Sequence, residues 1–228
     1  MQKKIKFITL LSLIFSFCYS INFEDLIVKL EEKDKSVKTL KAQYTQLINI
    51  VDTEETFVLE SEFVFLFPDK LKLEVKSPFQ QTIVISNSKL YLKNKVEDII
   101  YTTKVEDYLN KNKNILPLIF SKEKKYDLSN LIKRTGLKYV TEEEKYYVLS
   151  TRYAKGKVYK NKEVGLRESE MRVILWIDKE TLFPVKVNMI SAKYIIETEF
   201  KNFEVNFDIN EDVFTIEKTT TTKIVELK

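Results

Sequence analysis

The sequence predicts a mainly β (α+β) protein: a single long, curved antiparallel sheet forming an unclosed β-barrel, covered by an N-terminal helix and a short helical lid. Three observations predict it. Alternation of apolar and polar residues with a period of two runs through most of the chain from Leu40 onward. Short turn signals built from Pro, Asn, Ser and Asp separate the alternating runs. Helical spacing is confined to the start and the middle. Alternation of this kind marks strands with one buried face, and a sheet this long must twist and curl.

The N-terminus reads as a secretory signal peptide over residues 1–20. Lys3, Lys4 and Lys6 precede an apolar run over residues 7–17, and Cys18-Tyr19-Ser20 supplies small residues at a cleavage site. The run is too short to cross ~30 Å of hydrocarbon comfortably. Acylation of Cys18 is disfavoured because Phe17, not a small residue, stands before it. Residues 21–228 are then one domain. Cleavage would leave 35 basic against 34 acidic residues, so the formal charge of +4 is no sign of nucleic-acid binding. It would also remove the single cysteine, so the fold must rest on core packing.

Phe23, Leu26, Ile27 and Leu30 have helical spacing behind Asn22, a natural N-cap, so a helix opens the domain. Leu40, Ala42, Tyr44, Ile48 and Ile50 then share one strand face, with Gln46 as the exception. In the next strand Phe57, Leu59, Ser61, Phe63, Phe65 and Phe67 share a face, opposite Val58, Glu60, Glu62, Val64 and Leu66. Pro68-Asp69 turns the chain into Leu71, Leu73 and Val75, and Ser77-Pro78 turns it again. Residues 82–86, 89–93 and 98–103 continue the meander, with turns at Asn87-Ser88 and Asn94-Lys95. Residues 105–109, 116–120 and 128–133 look helical and form the lid, about 105–133. Strands resume over 137–140, 146–153, 170–177, 184–190, 193–203 and 213–217.

Several chemistries are excluded or disfavoured. The chain has no histidine, which removes Ser-His and Cys-His catalysis and His-based zinc sites. Gly136, Gly156 and Gly165 stand alone, so there is no phosphate-binding loop. Asp208, Asn210 and Asp212 resemble the start of a calcium loop, but Val213 replaces the required Gly and Thr219 the bidentate Glu. That stretch reads as a turn. Glu60 and Glu62 alternate with apolar residues as on a solvated outer face, and Glu142, Glu143 and Glu144 mark a hairpin tip. A carboxylate acid/base pair needs a cleft and split pKa values, so neither group suggests an enzyme. Lys122 to Lys125 include Glu123 and read as a solvated helix end. No cofactor, metal or nucleic acid is expected.

The positive signal is the apolar face. Phe57, Leu59, Phe63, Phe65 and Phe67, with Leu71, Leu73 and Val75 on the next strand and Ile83 and Ile85 beyond, form one apolar surface. Ordinary core and a lipid-binding wall use the same residue types, and the pattern alone does not separate them.

Five stretches carry a resemblance to a known family. They are Val37-Lys-Thr-Leu40-Lys-Ala-Gln-Tyr44-Thr-Gln46, residues 62–73 around Pro68, residues 77–91 beginning Ser77-Pro78, and the C-terminal residues 177–185 and 200–214. In order and spacing they resemble the periplasmic lipoprotein-carrier family LolA. The resemblance implies an unclosed barrel with a helical lid. It also implies a periplasmic, non-enzymatic, monomeric carrier taking acylated lipoproteins from an inner-membrane ABC transporter to an outer-membrane acceptor. The ten face residues named above would bind lipid, and Leu116, Leu118, Ile119 and Phe120 of the lid would cover them when empty. Phe65→Glu is then expected to abolish binding of an apolar probe with the fold intact. One departure stands out: the family's Arg just before the hairpin Pro is Phe67 here, so lid control must differ. A sensor of lipidated or misfolded envelope proteins on the same fold, or a carrier of another envelope lipid, are the alternatives.

Overall fold

The computed structural model describes residues 21–111, 127–151 and 171–227. The signal-peptide residues and the lid residues Leu116, Leu118, Ile119 and Phe120 lie outside the described residues.

Helix α1 (Phe23–Ser36) opens the described chain. Asn22 caps it, its side chain accepting from the Asp25 N–H at 2.8 Å, and Glu24 and Asp25 favour the positive end of the helix dipole. Six strands follow: β1 (Thr39–Ile50), β2 (Thr56–Leu66), β3 (Lys70–Ser77), β4 (Gln81–Ser86), β5 (Lys89–Asn94) and β6 (Ile99–Lys104). Among the described residues two short helices stand mid-chain, α2 (Val105–Lys111) and α3 (Leu128–Thr135). The remaining strands are β7 (Tyr139–Glu142), β8 (Tyr146–Ser150), β9 (Met171–Asp178), β10 (Pro184–Ser191), β11 (Tyr194–Val205) and β12 (Lys223–Glu226).

The twelve strands form one open sheet in the order β12-β6-β5-β4-β3-β2-β1-β11-β10-β9-β8-β7. Two meanders, β1 to β6 and β7 to β11, are joined along β1 and β11, which pair antiparallel from Leu40↔Val205 to Ile50↔Tyr194. The mainly β, unclosed architecture is the one the alternation predicts. Two details differ. The strand expected over 213–217 is a 3-10 turn, Glu211–Phe214, because the Asn210 side chain caps it by accepting from the Asp212 N–H at 3.0 Å. The last strand is β12, and it pairs parallel with β6.

Register fixes the faces. Leu40, Ala42, Tyr44, Gln46 and Ile48 stand opposite Phe65, Phe63, Ser61, Leu59 and Phe57. Directly opposed residues share a face, so the apolar rows of β1 to β5 form one surface. The apolar core of the described residues forms two clusters. One joins Val37, Leu40, Phe65, Leu71, Leu73, Ile83, Ile85, Leu90 and Phe183. The other packs Leu26, Ile27 and Leu30 of α1 and Leu128 and Ile132 of α3 on Leu149, Val173, Leu175, Ile177 and Met189.

The other face carries ion pairs. Lys41 reaches Glu62 and Glu204, Lys76 reaches Glu62, and Lys186 reaches Glu197 and Glu199. Glu62 therefore sits on a charged outer surface, as its alternation indicates, and these partners hold its carboxyl below the usual range against partial burial. The C-terminal segment crosses this face: Lys70 pairs with Glu211, Lys93 Nζ donates to the Glu217 carbonyl at 2.8 Å, and Phe214 is buried.

Helices α1 and α3 meet at a polar junction. Asp34 Oδ2 accepts from the Ser129 N–H at 2.9 Å, and Asp127 caps α3 through the Asn130 N–H. Gly136 ends α3 at φ 73°, a left-handed value glycine adopts without strain. Asp34 is buried, its Oδ1 has no hydrogen bond, and desolvation pushes its carboxyl above the ordinary value.

Candidate functional site: a partly exposed aromatic face

Seven of the ten predicted face residues come together: Phe63, Phe65, Phe67, Leu71, Leu73, Ile83 and Ile85 belong to one cluster or pack against it. Phe57, Leu59 and Val75 stand outside it. The reason is a register shift between Glu60 and Ser61, where β3 ends at Ser77, so Phe57 and Leu59 extend on an arm of β2 paired with β1. Phe57 is 38% exposed at the tip of that arm.

The predicted residues also divide by depth. Phe65 (5% exposed), Leu71, Leu73, Ile83 and Ile85 are sealed in the core, whereas Phe63, Phe67, Leu59 and Val75 are only partly buried. Phe65 is thus not an accessible wall residue, and the expectation that Phe65→Glu leaves the fold intact is replaced: an unpaired carboxylate at that depth breaks the core. Phe67 stacks on Phe65 with ring centroids 5.3 Å apart, so the position of the family's Arg is spent on aromatic packing at the end of β2.

The surface that stays partly open borders the cluster of β1 to β5 and is aromatic. Tyr44 lies 6.3 Å from Phe63 and 5.9 Å from Phe200, and Phe63 meets Phe200 edge-on at 6.5 Å. Phe200 in turn lies 6.3 Å from Phe203, and all four rings are partly exposed. Tilted and edge-on contacts are the favoured aromatic geometries. Phe203 stacks on the buried Phe183 at 5.1 Å, which ties the open group to the core.

Sequence reasoning missed Phe200 and Phe203. They stand three apart, so strict alternation puts them on opposite faces. A bulge reunites them: Lys41 faces Glu204 but Gln43 faces Lys201, with Asn202 at φ 57°. Asn202 between the two aromatics is the one signal that could have revealed it, since Asn tolerates left-handed backbone.

Four polar side chains sit on the same apolar face. Tyr44 stands opposite Ser61, and Gln46 stands opposite Thr198, with Gln46 Nε2 donating to Thr198 Oγ1 at 2.9 Å. Burial pushes the Tyr44 phenol above its usual range, the adjacent Ser61 hydroxyl opposing the shift. Elsewhere, Asp208, Asn210 and Asp212 lie in the C-terminal turn. Among the described residues no three His, Cys, Asp or Glu side chains are grouped to hold a metal ion.

No protein-family model and no curated protein matches the chain. Solved structures do. An uncharacterized conserved protein from Thermus thermophilus is 11% identical, with a TM-score of 0.53 over 88% of this chain and 97% of that one. The LolA superfamily protein NE2245 from Nitrosomonas europaea is 10% identical, with a TM-score of 0.45 over 86% and 99%. LprF from Mycobacterium bovis is 9% identical, with a TM-score of 0.44 over 84% and 99%. The match to the Thermus thermophilus protein shows a shared fold.

Proposed function

We propose that the protein is a periplasmic carrier that shelters the acyl chains of lipoproteins on the aromatic face of its sheet. The observation that carries the reading is the group Tyr44, Phe63, Phe200 and Phe203, left partly exposed beside a closed cluster. Contiguous exposed apolar surface in a folded protein marks an interaction site. Each acyl CH₂ exposed to water costs about 0.8 kcal/mol, so a lipid anchor needs such a surface to cross an aqueous space. Aromatic rings accept hydrocarbon without demanding one chain shape.

On this reading the ten face residues divide in role. Phe63 and Phe67, with Leu59 and Phe57 along the arm and Val75 on β3, touch the chains. Phe65, Leu71, Leu73, Ile83 and Ile85 set the platform beneath them. The resemblance read from the sequence adds export by a cleaved signal peptide, one domain over 21–228, a lid over about 105–133, a monomeric state, and hand-over between an ABC transporter and an outer-membrane acceptor. The charged outer face, with its carboxylates engaged by lysines, supports a binding protein in preference to an enzyme.

The test is displacement of a fluorescent apolar probe by a diacylated lipopeptide. Phe63→Glu and Phe200→Glu should each abolish probe binding while circular dichroism stays native. Binding unaffected by both substitutions overturns the assignment of the face.

A further inference from the structure

We infer that the apolar face carries a built polar subsite for the ester-linked head of a glyceryl lipid, in which Tyr44 donates to a carbonyl and Gln46 accepts from a neighbouring N–H or O–H, backed by Ser61 and Thr198. The inference rests on the carrier reading and goes beyond it, because hydrocarbon shelter alone needs no polar group on this surface.

Register makes the four residues one island. Ser61 on β2, Tyr44 on β1 and Phe200 on β11 lie in one cross-strand row, and Leu59, Gln46 and Thr198 lie in the next. Residues in adjacent rows of one face are about 7–8 Å apart on the diagonal, within reach of Tyr and Gln side chains. Apolar residues border the island: Ala42 and Phe63 in the row on one side, Ile48, Phe57 and Ile196 in the row on the other.

Depth then separates two roles. Ser61 and Thr198 are 3% and 6% exposed, and Tyr44 and Gln46 are partly exposed in front of them. Ser61 Oγ is buried without a hydrogen bond of ordinary geometry, an unmet group that a dry core residue would not keep without cost. It belongs to the residue directly opposite Tyr44 across β1 and β2. Thr198 holds the Gln46 amide nitrogen at 2.9 Å, which leaves Gln46 Oε1 as an acceptor. The phenol ring of Tyr44 is fixed by Phe63 and Phe200. Tyr44 Oη is therefore a pre-positioned donor in apolar surroundings, where an unpaired polar group is costly and a hydrogen bond is worth most.

The ligand chemistry follows. A neutral carbonyl oxygen at the head of two hydrocarbon chains accepts from Tyr44, and a neighbouring N–H or O–H donates to Gln46 Oε1. A free fatty acid would bring a carboxylate to a face whose island has no cation. An acylated glyceryl head, ester-linked and uncharged, fits it.

The experiment compares two lipopeptides of equal chain length, one with two palmitoyl esters on its glyceryl-cysteine and one with two hexadecyl ethers. The diether keeps the hydrocarbon and lacks the carbonyls. The unmodified protein should bind the diester about tenfold tighter, which corresponds to about 1.4 kcal/mol. Tyr44→Phe keeps the ring and should erase that preference by weakening the diester alone. Ser61→Ala should reduce it in part, as a residue acting through Tyr44. Equal affinity for both ligands in the unmodified protein, or equal weakening of both by Tyr44→Phe, overturns the subsite and leaves the carrier reading standing. Binding of neither lipopeptide overturns both.

Discussion

Asn206 grips Lys38 across 168 positions of sequence: its Oδ1 accepts from the Lys38 N–H at 2.7 Å. Its Nδ2 donates to the Ser36 carbonyl at 2.8 Å, and its own N–H donates to the Thr39 carbonyl at 3.0 Å. One side chain at the end of β11 therefore fixes the exit from α1 and the entry to β1. Asn206 also sits at φ 55°, a left-handed value that Asn tolerates and Ala does not. Asn206→Ala should lose two hydrogen bonds and gain backbone strain, destabilising the protein by about 2 kcal/mol. Thermal unfolding should shift down by about 4–8 °C for a chain of this size. Asn206→Gly relieves the strain alone and should fall between the two.

Depth should separate two phenylalanines two places apart. Phe65, at 5% exposure, should not tolerate Glu: loss of cooperative unfolding or poor soluble yield is expected, from a cost of several kcal/mol. Phe63→Glu should keep its native circular dichroism and cooperative unfolding, with a denaturation midpoint well above that of Phe65→Glu. Equal stability of the two variants would contradict the assigned depths.

Asp34 should give the protein an acid-favoured component of stability. Its carboxyl is raised by desolvation, so the folded state holds its proton at pH values where the unfolded chain has released it. The associated stability is full below the ordinary value of 3.8 and is lost as pH rises through the raised native value. Asp34→Asn removes that component. The stability difference between the variant and the unmodified protein, followed by urea denaturation, should change across this window and level off above it.

Asp98 should act with the opposite sign. Hydroxyls of Thr219, Thr222 and Thr221, with Lys93 nearby, hold its carboxyl at about 2. Its contribution is present above 3.8 and is lost as pH falls towards about 2. The Thr219 and Thr221 hydroxyls donate to Oδ2 at 2.7 and 3.0 Å, and Thr222 donates to Oδ1 at 2.9 Å, just before β12. Asp98→Ala should therefore loosen the last strand. Hydrogen exchange at the Lys223 and Leu227 amides, which donate to Asp98 and Thr102 carbonyls, should accelerate by tenfold or more. Exchange in β1 and β11 should be unchanged.

Elements that depend on local spacing were legible in the chain before any packing was known. Asn22 and the 23/26/27/30 pattern defined α1, because a cap and a 3.6-residue period need no distant partner. The Phe row of β2 and the turns at Pro68 and Asn87-Ser88 were legible for the same reason; Asn87 and Ser88 both take the positive φ of a two-residue hairpin turn. Long-range packing set which strands became neighbours across the chain. Nothing local in β1 states that Leu40 meets Val205, or that β12 runs parallel to β6. It also set depth. Phe63 and Phe65 have the same periodicity, and only the closed cluster in which Leu40 and Leu71 flank Phe65 seals it. Alternation specifies a side of a sheet, whereas burial is set by what the rest of the chain lays over that side. The partly exposed Tyr44, Phe63, Phe200 and Phe203 follow from pairings of residues more than 130 positions apart, and a bulge at Asn202 that no period contains.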